Sequence, residues 1–159
     1  MQIIGICDNA VNHFKEYFPN EVVFSICDHD SRIYYEEEIN KSINSDSDTT
    51  FIIIGLDGEY GTNIASPMAR KCREAGKATI GIVILPFAFE GAVRYEQALH
   101  EANELLRNTD AIFFLNNQLI LENNKEMLVS EAFKKRDFML CQIIKSIRFS
   151  FNQARCTSG

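Results

Sequence analysis

Apolar and polar residues are arranged in blocks along this chain, and the blocks are of two kinds. Short apolar runs of strand length stand at residues 2–7 (QIIGIC), 21–27 (EVVFSIC), 51–54 (FIII), 79–85 (TIGIVIL) and 110–115 (DAIFFL). They are nearly continuous rather than alternating, as expected of strands covered on both faces. Between them lie segments with helical spacing. Asp8 or Asn9 caps a helix through about Phe18, with Val11, Phe14 and Phe18 on one face, and Pro19 and Asn20 stop it. Residues 32–44 set Ile33 and Ile39 against an acidic face of Glu36 and Glu37, and a polar SDSD turn follows at 45–48. Pro67 opens a helix over 66–75, and residues 92–107 place Val93, Ala98, Leu99, Ala102, Leu105 and Leu106 at a helical period. A polar loop at 122–125 leads to a long helix over 126–149, whose apolar stripe is Met127, Ala132, Phe133, Leu140, Ile143, Ile144 and Ile147. Five strands alternating with helices predict an open, mostly parallel, Rossmann-like α/β sheet with helices on both faces. Residues 1–149 are expected to form one domain and 150–159 a polar tail.

The stretch from Thr49 to Glu90 organises the rest. Its strand breaks into a Gly-rich turn at 55–63 before a helix and a second strand. A right-handed βαβ crossover of this kind puts the turn at the carboxyl edge of the sheet, where backbone N–H groups can face an anion.

Composition narrows the partners. A net charge of −6 opposes general binding to a phosphate backbone, so nucleic acid is not expected. No apolar run reaches the roughly 20 residues of a membrane span, and residues 1–7 lack the basic leader of a signal peptide. The expected location is the cytoplasm. The five cysteines are scattered without C-x-x-C spacing, and Cys27 with His29 has no second pair to complete a zinc site. The first strand runs into Cys7, Asp8 and Asn9 without the G-x-G-x-x-G of dinucleotide folds.

PFAFEG at 86–91 resembles the PF-x-FEG loop of the FtsZ/tubulin family of self-assembling GTPases. GLDGEYGTNIASPMARKCREAGK resembles that family's GMGGGTGTGAAP segment and its helix, and IIGIC-DNAVNHF its opening IGVGGGGGNAVN. Residues 116–121 stand where the family has PND-x-(I/L)-L, and Glu131, Ala132 and Phe133 match the EAF of its central helix. The resemblance covers nearly the whole chain. It implies a site in which Asp8 and Asn9 belong to the first loop, and Gly58, Gly61 and Thr62 to the phosphate loop. Glu90, Asn117, Phe133 and Asp137 would contact base or ribose. GTP or GDP, with Mg²⁺, is the implied ligand.

Departures from the family pattern change what is expected of that site. Asp57, Glu59, Tyr60 and Asn63 replace the glycines and threonine of the family loop. A carboxylate near a phosphate is repulsive by about 1 kcal/mol at 4 Å even in water. The stretch after Phe149, SFNQARCTSG, lacks the carboxylates with which the family activates water across a filament contact. No self-sufficient GTPase is expected, and no catalytic or metal-binding residue is assigned. The expectation is a degenerate, single-domain FtsZ-like protein with weak or lost guanine-nucleotide binding. It would act through protein contacts, such as modulating a filament of a full-length homologue or associating with itself. Two alternatives stay open: slow GTP hydrolysis dependent on a partner subunit, and a small-molecule binder using the same crevice. The individual residues also have plainer readings. Phe133 lies on an apolar stripe, Asn117 suits an ordinary turn, and Asp137 follows Lys134, Lys135 and Arg136 on a charged face.

Overall fold

The computed structural model describes residues 1–6, 14, 16–26, 37, 39–41, 43, 46–55, 61–124 and 126–157, with backbone alone at 22, 24–26, 61–63, 152 and 154–157. Strands β1 (Gln2–Ile6), β2 (Val22–Ile26), β3 (Thr49–Ile54), β4 (Ala78–Leu85) and β5 (Ala111–Asn116) form one sheet in the order β2-β1-β3-β4-β5. Every pairing is parallel, so each connection must cross over a face of the sheet. Helix α1 (Gly61–Glu74) joins β3 to β4, α2 (Ala92–Leu106) joins β4 to β5, and α3 (Asn117–Glu122) and α4 (Val129–Thr157) follow β5. Residues 14, 16 and 17 are helical, as are 37, 39–41 and 43.

The side-chain period of two sorts the strand residues into two cores. Ile4, Ile6, Ile52, Ile54, Val83 and Leu85 pack with Ile39, with Ala65, Met68, Ala69 and Cys72 of α1, and with Ala98, Ala102 and Leu105 of α2. Ile3, Phe51, Ile53, Ile80, Ile82 and Ile84 face the other way, against Phe14, Phe18 and Leu140, Cys141 and Ile144 of α4. The small residues on the first face let its helices come close. A Cβ built on Gly81 would stand 2.7 Å from Leu105 Cδ2, so glycine there is set by α2 lying on β4.

The expected doubly covered parallel sheet is present, and the strand ends differ from expectation by only a residue or two. The helices differ more. α1 begins at Gly61, five residues before the expected start, and carries Pro67 inside it. Proline within a helix costs about 3 kcal/mol. Here Ile64, Ala65, Met68, Ala69 and Cys72 form a buried stripe through it. Ile64 and Met68 alone contribute about 1.5–3 kcal/mol each on burial, which offsets the loss. The polar exit from β5 holds an unexpected short helix, α3, because Asn116 Oδ1 accepts from the Gln118 N–H at 2.9 Å and caps it. α4 starts at Val129 rather than 126 and continues to Thr157, through most of the stretch expected to be a tail. That stretch contains neither Gly nor Pro before Gly159, so nothing in it breaks the helix.

Candidate functional site

The residues assigned to the base side gather at the carboxyl ends of β4 and β5. β4 ends at Leu85, and Ala88–Glu90 form a 3-10 turn that Gly91 leaves with φ of 100°. That left-handed conformation is one glycine adopts without strain. Phe87 is the anchor of the turn. It is buried against Ile120 of α3 and Ala132 of α4. Its ring stacks on Phe89 at 5.1 Å and meets Phe133 edge-on at 5.3 Å. The Ala88 N–H donates to Gln118 Oε1 at 2.9 Å, so turn and α3 are joined by polar as well as apolar contact.

Glu90 is engaged by its own turn. Its Oε1 accepts from the Phe87 N–H at 2.8 Å and its Oε2 from Arg94 Nη1 at 3.0 Å. Asn117 is the first residue of α3 and is 4% exposed; among the described residues its Oδ1 has no hydrogen-bond partner. A buried amide oxygen left without a partner costs about 1–3 kcal/mol, so this atom is an acceptor that the described surroundings do not account for.

Phe133 and Asp137 stand one turn apart on α4 and share a face. Between them lies Arg136, 8% exposed, whose guanidinium sits 5.0 Å from the Phe133 ring centroid. Arg136 Nε and Nη2 donate to Asp137 Oδ1 at 2.9 and 2.8 Å. Two of the plainer readings are therefore corrected. Phe133 is not a core residue; it is 39% exposed, and in its turn of α4 the buried residue is Ala132, against Phe87 and Ile120. Arg136 and Asp137 are not on a solvated face, since Phe133 and the carboxylate together bury the guanidinium.

On the phosphate side, Gly61 and Thr62 are the first two residues of α1, at the carboxyl end of β3, with no acidic residue in the first turn. Asp8, Asn9 and Gly58, like Asp57, Glu59, Tyr60, Cys27 and His29, lie outside the described residues. Among the described residues no group of three or more His, Cys, Asp or Glu could hold a metal ion, and no helix is long and apolar enough to cross a membrane.

Three contributors were not singled out in the sequence: Phe87 as anchor, Gln118 as its polar tie and Arg136 as the clamp on Phe133 and Asp137. The Phe133 to Asp137 spacing of four with a cation between them is a signal that could have found Arg136.

The model of the tubulin/FtsZ family, GTPase domain, matches residues 15–125. The cell division protein FtsZ of Aquifex aeolicus is 35% identical over 108 residues, which is 67% of this chain and 29% of that protein. The cell division protein FtsZ 1 of Methanocaldococcus jannaschii is 35% identical over 111 residues, 70% of this chain and 30% of that one. The chain thus matches less than a third of these relatives' length. A solved structure of an FtsZ point mutant from M. jannaschii superposes with a TM-score of 0.70 over 92% of this chain and 55% of that one, at 23% identity.

Proposed function

The chain belongs to the tubulin/FtsZ family, and from that premise we propose that it is a degenerate relative that holds guanine nucleotide weakly or not at all and works through protein contacts, such as modulation of a filament. The observation that carries this reading is the internal use of the site's polar groups. Glu90 is held by the Phe87 N–H and by Arg94, and Asp137 Oδ1 is taken by Arg136. Reading a purine edge needs acceptors and donors that are still available, so groups already satisfied within the chain contribute less. Meanwhile apolar surface is left open on the same edge: Phe89 is 65% exposed on top of Phe87, and Val93 at the start of α2 is 70% exposed. Aromatic and aliphatic groups over a buried anchor suit a protein partner.

One observation favours a second reading, in which guanine-nucleotide binding persists through the base side. Among the described residues the Oδ1 of Asn117 has no partner, and a nucleobase amino or imino N–H would satisfy it. Under that reading hydrolysis would need acidic groups from a partner subunit.

Titration calorimetry of nucleotide-stripped protein with GTP, GDP and guanosine, with and without Mg²⁺, separates the two. The first reading expects no heat with any of the three at micromolar concentrations, together with a change in sedimented polymer mass when the chain is added to a full-length FtsZ. Micromolar binding of GTP or GDP would overturn it in favour of the second. Binding of guanosine equal to that of GTP would leave only the base side at work. Unchanged polymer would remove the filament role.

A further inference from the structure

β5 is the last strand of the sheet, and among the described residues nothing pairs with its outer edge. An open edge presents unpaired N–H and C=O groups, and proteins usually blunt it with Lys, Pro, a bulge or a covering segment. The strand AIFFLN has no charged residue and no proline. The Asp110 N–H donates to the Thr79 carbonyl at 2.8 Å, which sets the alternation. Even-numbered residues turn their backbone groups toward β4, and Ala111, Phe113 and Leu115 turn theirs outward.

Apolar side chains flank this edge on both faces. Phe113 shares its face with Leu115, which packs with Leu140 of α4, yet Phe113 itself is 39% exposed. Phe114, on the opposite face, is 50% exposed. On that face lies α2. Its side toward α1 is marked by Ser66 Oγ donating to the Glu104 carbonyl and by Asn108 Nδ2 donating to Ser66 Oγ. Helical spacing puts Tyr95, Leu99 and Leu106 on the opposite side, above the edge of β5, and all three are exposed.

We propose that this edge is where a second copy of the chain docks, β5 against β5, antiparallel about a two-fold axis normal to the sheet. Such an axis keeps each face in register only where paired residue numbers sum to an even value. Centring on Phe113 pairs it with itself and Ala111 with Leu115 of the other copy, so every outward backbone group is used. Ile112 then faces Phe114, giving an aliphatic and aromatic cross-strand pair on the α2 face.

Three features favour a copy of the same chain over an unrelated strand. The patch is uncharged on a chain of net charge −6, so copies repel elsewhere and not here. Antiparallel pairing also brings the Asp110 end of each strand, whose carboxylate is already held by Arg73 and the Thr79 N–H, toward the groove of about 440 Å³ that Phe114, Leu119 and Met139 line in the other copy. The six exposed groups Tyr95, Leu99, Leu106, Phe113, Phe114 and Leu119 offer roughly 500 Å² of apolar surface per copy. With the strand backbone this approaches the roughly 800 Å² per partner of a standard interface.

Sedimentation velocity of the full chain over a concentration series tests the proposal, with far-UV circular dichroism and melting to show that each variant is folded. The expected result is a shift from one chain to two, weakened about tenfold or more by Phe113→Lys and by Leu99→Glu, and unchanged by Phe138→Lys on the outer side of α4. A wild type that stays a single chain overturns the proposal, as does a dimer indifferent to both edge variants or equally sensitive to Phe138→Lys. A monomeric wild type that binds a synthetic AIFFLN peptide overturns the second-copy assignment and leaves the edge to another strand.

Discussion

At the carboxyl ends of β4 and β5, polar atoms are consumed within the chain: Glu90 by Phe87 and Arg94, Gln118 by Ala88, Asp137 by Arg136. Around the corner, at the outer edge of β5, backbone donors have no strand partner among the described residues and apolar rings are exposed. The two regions share a strand and differ in what a ligand could gain from them. At the first, a ligand must compete with bonds already made, apart from the one at Asn117 Oδ1. At the second, a partner meets no competing bond among the described residues. Substitutions at the carboxyl ends should therefore change stability first, and substitutions at the edge should change association first.

The largest effect is expected at Phe87. Phe87→Ala removes a ring that is 1% exposed and supports both Phe89 and Phe133, and should lower unfolding free energy by about 3–5 kcal/mol in urea titrations. A loss below about 1 kcal/mol would mean that the cluster is an ornament of the fold rather than its anchor.

Next is Cys141, one turn along α4 from Asp137. Burial raises its thiol from 9.0 to about 11, with Lys145 lowering it and Asp137 raising it further. The folded chain keeps this proton where the unfolded chain has lost it, so the native state binds more protons. Stability should then fall as pH rises from 9 to 11, by on the order of 2 kcal/mol, and Cys141→Ala should flatten that slope. A slope identical in the two proteins would assign the effect elsewhere.

Asn117→Leu replaces a buried unpartnered acceptor with an apolar group of similar size, and should stabilise the ligand-free chain by about 1 kcal/mol. A destabilised variant would mean that Oδ1 has a partner in solution. The smallest effect is expected at the edge, where Phe114→Lys should leave the unfolding free energy of the single chain within about 0.5 kcal/mol. A larger loss would erase the contrast between the two regions.

The sheet was legible because its strands are buried on both faces, so each is a run of apolar residues, such as Phe51 to Ile54, that periodicity finds easily. Helix limits were less so. Pro67 reads locally as a start, and only the packing of Ile64 and Ala65 against the sheet reveals the turn before it. α3 is too short to have a period. In α2, Leu99 and Leu106 fit an apolar stripe, but the sheet covers only Ala98, Ala102 and Leu105, so the pattern promised a wider contact than the fold makes. For the site, the PFAFEG resemblance located Glu90, Asn117, Phe133 and Asp137 on neighbouring elements. It could not tell that Arg136 would occupy Asp137, because a contact between adjacent residues depends on what buries the guanidinium, here Phe133.

Pro67 has a further consequence for motion. Lacking an N–H, it leaves the Asn63 carbonyl without the amide four residues on, so only the amides of Ala65 and Ser66 close the first turn of α1 before the ladder is interrupted. That turn is held to the rest of α1 by the packing of Ile64 and Ala65 more than by the ladder, and its amides should exchange with solvent faster than those of Met68 to Glu74.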